Sequence, residues 1–176
     1  VLYGTAHSSD HSLSVSGSSD KNIYNLSLGY SDNESILKWG SDNRQRYNIR
    51  LNDDYQITSK VRLSSTMAYD RVESSYPQRQ INSASDGQPA GTPVSTENGL
   101  PYAWGGQYGY QWFSKLGGVN NASYNMFTGN LILSYEITKS LTWKNSASYR
   151  TRDYYKKWNE AKIQWYYLNG SENQIN

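Results

Sequence analysis

Apolar and polar residues alternate with a period of two along six stretches of this chain: Ser12–Gly17, Asn22–Tyr30, Arg46–Asn52, Lys60–Asp70, Phe127–Glu136 and Leu141–Arg152. That period is the spacing of side chains on one face of a β-strand, so six strands are expected and no amphipathic helix. One parity is apolar: Leu13 and Val15; Tyr24, Leu26, Leu28 and Tyr30; Tyr47, Ile49 and Leu51; Val61, Leu63, Met67 and Tyr69. It continues through Phe127, Leu131, Leu133 and Tyr135, then Leu141, Trp143, Ala147 and Tyr149. The opposite parity is polar and carries Asn25, Gly29, Arg46, Asn48, Arg50, Asn52, Arg62, Thr66, Asp70, Asn130, Glu136, Lys144, Arg150 and Arg152 among serines.

The links alternate in length. Ser18–Lys21, Asp53–Ser59 and Ile137–Ser140 are short, whereas Ser31–Gln45 and above all Arg71–Met126 are long. Short links therefore fall at one end of the sheet and long ones at the other. Segment 71–126 holds all 4 Pro and more than half of the 14 Gly, the composition of a loop. A weak internal repeat supports an up-and-down order: Asp54–Arg71 resembles Ser134–Thr151 in Tyr-x-Ile-Thr, then Lys and an alternating strand. With two copies, it reads as a recurring hairpin.

Two environments suit a sheet with one apolar and one polar face. In a soluble sandwich the apolar face packs on a core; in a transmembrane β-barrel it meets lipid while the polar face lines the lumen. Three features favour the barrel. The strands approach the roughly 9–11 residues that a tilted strand needs to cross a bilayer, beyond the usual mode of about 5–6. Tyr30, Tyr47, Tyr69, Tyr135 and Tyr149 recur at strand ends on the apolar parity, as in an aromatic girdle. Loop lengths segregate by end, like short periplasmic turns and long extracellular loops. Arg46, Asn48, Arg50, Arg62 and Arg150 then face a hydrated lumen, whereas an arginine toward lipid costs about 2–4 kcal/mol near mid-bilayer. Ser65 and Asn145 fall on the apolar parity and fit it imperfectly.

Composition sharpens this picture. The 176 residues are 36% hydrophobic, with 17 Tyr and 6 Trp against 2 Phe and 2 Met, which favours amphipathic rings over plain core filler. The absence of cysteine excludes disulfides and thiolate metal sites. A net charge of +2 without a basic run argues against a nucleic-acid partner. No apolar run is long enough for a transmembrane helix, and Val1 opens neither a signal peptide nor a Met-initiated chain. The expectation is a mature piece or interior fragment of a longer protein.

At His11–Leu63 the chain resembles the SusC/RagA family of TonB-linked outer-membrane transporters of Bacteroidota. The residues that carry the resemblance are Ser14–Gly17, Tyr24–Tyr30, Asp32–Leu37, Ser41-Asp42, Arg46-Tyr47 and Arg50–Asn52. Thr128–Tyr149 is similar to a later hairpin of the family, with its Gly-Asn, Tyr-x-Ile-Thr and Leu-Thr. Ser35 stands where the family commonly has glycine. The family's TonB box, plug domain and most of its strands have no counterpart here. The resemblance implies an all-β fold: residues 1–176 as an antiparallel, up-and-down transmembrane β-barrel segment, about six strands of a barrel of about 22. It implies active import of oligosaccharides or peptides across the outer membrane. The implied partners are a SusD-like surface lipoprotein, TonB acting through regions absent here, and outer-membrane lipid.

No residue set predicts catalysis or a cofactor. His7 and His11 have a helical metal-ligand spacing, but lie in a serine-rich strand or loop. Asp53-Asp54 suits a turn, and Gly105–Gly109 lacks the strand and helix of a phosphate loop. The candidate ligand or partner site is the aromatic loop Leu100–Phe113, where Tyr102, Trp104, Tyr108, Tyr110 and Trp112 stand among glycines. Such rings stack on sugars, pack on a partner, or fold the loop onto itself. The alternative to the transporter is a soluble β-sandwich carbohydrate-binding module that uses this loop. A small complete barrel needs at least eight strands, and 158–168 can supply one at most.

Overall fold

A computed structural model describes residues 4–38, 40, 42–78, 91–105, 107–109 and 111–173. The chain order is β1 (Ser8–Ser18), β2 (Asn22–Glu34), β3 (Asn43–Thr58), β4 (Val61–Pro77), β5 (Ala103–Trp104), β6 (Gln107–Tyr108) and α1 (Gln111–Leu116). It continues with β7 (Val119–Thr138), β8 (Leu141–Trp158), β9 (Trp165–Tyr166) and β10 (Glu172–Asn173). Among the described residues the protein is thus all-β apart from one short helix. Six long strands form one antiparallel sheet in the order β1-β2-β3-β4-β7-β8, each paired with its neighbours in sequence. The sheet is open, with β1 and β8 as its edges.

All six expected strands are present, and most run further toward the long-link end than the alternation indicated. β4 continues through Pro77 and β7 begins at Val119, so both ends of segment 71–126 are strand. Past Tyr69 the apolar parity carries Arg71, Glu73 and Ser75, while Val72 and Tyr76 fall on the other parity. Backbone pairing persists there, but the hydrophobic alternation that reveals a strand has ended. The tight turns are also shorter than expected, because β3 runs to Thr58 and β7 to Thr138.

The repeat has a structural counterpart in two matching hairpins. Register shifts lie between Gln56 and Thr58 in one and between Glu136 and Thr138 in the other. Thr58 Oγ1 accepts from the Lys60 and Val61 amides at 3.2 and 3.1 Å, and Thr138 Oγ1 accepts from the Ser140 amide at 3.3 Å. Among the described residues every positive φ belongs to glycine, so these turns keep the ordinary hand. The bulge beside each reconciles that hand with the strand twist.

Among the described residues the buried hydrophobic ones lie off the six-stranded sheet. Tyr102, Ala103, Trp112 and Trp165 form a small core between the loop and the C-terminal segment, with Phe113 and Ile163 against it. Backbone bonds stitch this cap together: Tyr166 donates to the Pro101 carbonyl at 2.8 Å and Ala161 to that of Gly117 at 3.3 Å. Gly118 holds φ at +101° where the chain enters β7, and a side chain there would overlap Asn159.

Candidate functional site

Cross-strand partners share a face, so the register assigns every side chain of the sheet. On the apolar face Leu13, Leu28, Ile49, Tyr69 and Phe127 stand in one row. Val15, Leu26, Leu51, Met67, Gly129 and Tyr149 stand in the next. Tyr24 lies over Gly17, where a Cβ would sit 2.6 Å from its hydroxyl. Nothing covers this face among the described residues: Leu13 is 62% exposed, Met67 42% and Leu131 43%.

The band has defined limits. It runs from Tyr47 to Ile57 on β3, Val61 to Tyr69 on β4, Phe127 to Ile137 on β7 and Leu141 to Tyr149 on β8. Asp53 interrupts it between Tyr24 and Ser65, because the Asp53-Asp54 pair expected in a turn lies within β3. Each span matches the roughly 9–11 residues of a tilted membrane-crossing strand. Toward the long-link end His11 stacks on Tyr30 at 6.2 Å, and Tyr30 tilts against Tyr47 at 5.1 Å. Arg71, Asn125 and Asp153 continue the row of Tyr30 and Tyr47, and beyond it come Asp32, Gln45, Glu73 and Ser123. Arg71 Nε donates to Glu73 Oε1 at 2.9 Å, and this partner raises the guanidinium pKa above its usual value. Ser65 pairs with Leu131 and Asn145 with Leu133, so both lie inside the band and away from either bulge.

The other face is polar and holds all five arginine and asparagine candidates, Arg46, Asn48, Arg50, Arg62 and Arg150. Arg46 Nη2 donates to Asp70 Oδ1 at 2.7 Å, and Arg62 Nε stands 3.7 Å from Asp54 Oδ1 and donates to Gln56 Oε1 at 3.1 Å. Ser148 donates to Asn130 at 2.9 Å. Four further residues of this face lie outside the sequence-based candidates: Arg44, Tyr124, Tyr154 and Lys156. They sit on the strand extensions, where the apolar alternation had already stopped. Continuing the parity of Arg46 and Arg150 outward is the signal that finds them.

The aromatic loop is divided. Tyr102 is 3% exposed and Trp112 8%, and the Trp112 indole donates to the Val94 carbonyl at 2.9 Å, so these two rings fold the loop onto itself. Phe113 meets Trp165 edge-on at 5.1 Å, and Lys115 Nζ lies 4.9 Å from the Trp112 ring centre. Trp104 is 62% exposed. Tyr108 belongs to β6 by its backbone, and Tyr110 lies outside the described residues. The loop therefore offers Trp104 to solvent and keeps Tyr102 and Trp112 as its core.

Among the described residues no group of His, Cys, Asp or Glu side chains could hold a metal ion, and no helix is long and apolar enough to cross a membrane. No family model matches the chain, and no curated protein or solved structure matches it either.

Proposed function

We propose that this chain is part of the wall of an outer-membrane, TonB-linked nutrient importer of the SusC/RagA type. Its apolar band faces lipid, its polar face lines the lumen, and its long links with the cap point to the cell exterior, where a SusD-like lipoprotein meets them. The cargo is an oligosaccharide or peptide, and the chain itself performs no catalysis. The observation that carries the reading is the uncovered apolar band, bounded by rings toward the long links and of membrane-crossing length on four strands. A six-stranded apolar face is wider than soluble monomers leave in water.

The soluble carbohydrate-binding sandwich needs a second sheet over that face. Among the described residues the other pairings are two-stranded and lie in the loop and C-terminal segment. The test is transfer of the chain from denaturant into buffer and into detergent micelles, with strand content followed by circular dichroism. The importer reading expects strands in micelles only; a folded monomer in plain buffer contradicts it.

A further inference from the structure

The net charge of +2 conceals a separation between the two faces. On the apolar parity Arg71 and Lys157 are outnumbered by Asp32, Glu34, Asp53, Glu73 and Asp153. On the polar parity the balance reverses. β3 presents Arg44, Arg46 and Arg50; β4 presents Arg62; β8 presents Lys144, Arg150, Arg152 and Lys156. The carboxylates of that face are Asp10, Asp54, Asp70 and Glu136. Asp70 and Asp54 are engaged by Arg46 and Arg62, Asp10 lies on the far edge strand, and Glu136 lies at the short-turn end. Among the described residues no carboxylate pairs with Arg44, Arg50, Arg150, Arg152 or Lys156.

The register arranges these cations as two walls. Arg44, Arg46 and Arg50 form one on β3; Lys156, Arg152 and Arg150 form the other on β8, in the rows of Arg44, Asn48 and Arg50. Three inter-strand steps separate the walls, about 14 Å at the usual strand spacing. Small or apolar residues floor the trough between them, including Ala68, Val72, Tyr124 and Met126. Two adjoining depressions of about 280 and 470 Å³ lie against the β3 wall and share Arg46 and Asp70; the smaller reaches Ser27 on β2, and the larger reaches Tyr124 and Met126 on β7. Arg152 lies 5.6 Å from the Tyr124 ring centre, which orients its guanidinium, and Lys156 lies 5.8 Å from that of Tyr76.

We infer that this trough binds an anionic oligosaccharide bearing carboxylate or sulfate groups; the inference rests on the importer reading and names its cargo class. Guanidinium groups recognise such anions with paired N–H donors. Tyr124 and Tyr154, directly opposite one another, offer rings beside the walls. Asn48, Asn52, Thr66, Asn130 and Ser148 extend the face with amides and hydroxyls suited to sugar hydroxyl groups. An extended peptide would instead pair its backbone with the free edge of an outer strand, whereas the trough presents side chains on the face of the sheet.

The test is calorimetric titration of the full chain in micelles with tetragalacturonate, its neutral methyl ester and tetraglutamate. The expected result is binding of tetragalacturonate, weakened by salt, with the ester and the peptide each at least about tenfold weaker. Arg150→Gln with Arg152→Gln lowers tetragalacturonate affinity about tenfold, Lys replacements at both positions recover part of it, and Arg71→Gln with Lys157→Gln leaves it unchanged. Equal binding of the ester overturns the anionic requirement, and equal binding of tetraglutamate overturns the sugar. A chain that gains its strands in micelles and binds none of the three overturns the trough and leaves the membrane reading intact. Folding in plain buffer contradicts the membrane reading whatever is bound.

Discussion

The Tyr69 hydroxyl donates to Asn125 Oδ1 at 3.1 Å across β4 and β7. This bond joins the last ring of the apolar band on β4 to the row where Tyr30 and Tyr47 give way to Arg71, Asn125 and Asp153, and there the sheet passes from one solvent to another in the importer reading. A tyrosine suits that border because its ring is apolar and its tip is polar. Tyr69→Phe keeps the ring and loses the bond, so it is expected to cost about 0.5–1.5 kcal/mol, measured by urea titration of the chain in lipid vesicles.

Depth and face should govern the cost of a charge. Met67 lies mid-band with Leu51 and Gly129 as partners, and Thr66 beside it faces the polar side. In vesicles Met67→Lys is expected to destabilise by about 2–4 kcal/mol, and Thr66→Lys by under about 1 kcal/mol. The same urea titration compares them; equal costs contradict the assignment of faces.

The two threonine turns give an internally controlled pair. Thr58 Oγ1 accepts two amides and Thr138 Oγ1 accepts one. Thr58→Ala should cost more than Thr138→Ala, each about 0.5–1.5 kcal/mol. The turns share no partners, so the double variant should match the sum within about 0.3–0.5 kcal/mol.

The cap should unfold apart from the sheet. Trp112 is buried against Ala103 and Trp165 and donates to Val94. Trp112→Ala is expected to remove about 3–5 kcal/mol from the cap. Trypsin should then cut after Lys115 while the strand signal in circular dichroism is retained.

Within the trough Asp70 opposes any anionic ligand, although Arg46 holds it. Asp70→Asn is expected to tighten tetragalacturonate binding about two- to fivefold, equivalent to about 0.4–1 kcal/mol. Calorimetry under the same conditions reads this directly.

The sheet was legible because Leu26, Leu51 and Leu63 are apolar, their chain neighbours are polar, and one phase of alternation fixes one register. The strand extensions were not, since Arg71 and Glu73 replace apolar residues while Val72, Tyr124 and Met126 appear on the opposite parity. The charge separation was hidden for a related reason: Arg44 and Lys156 are far apart in sequence and share a row only through the pairing of four strands. The rings of 100–113 were visible, but which of them turn inward depends on Trp165 and Val94, contacts that local composition does not encode.

The most direct test of the central claim uses the absence of native cysteine, which makes any introduced thiol unique. Single cysteines at consecutive positions Val61–Asp70, labelled with a fluorophore in vesicles, report their surroundings to a lipid-bound and a water-soluble quencher. The account predicts strict alternation, with 61, 63, 65, 67 and 69 quenched from lipid and 62, 64, 66, 68 and 70 quenched from water. Water quenching at every position, or lipid quenching without a period of two, would contradict it.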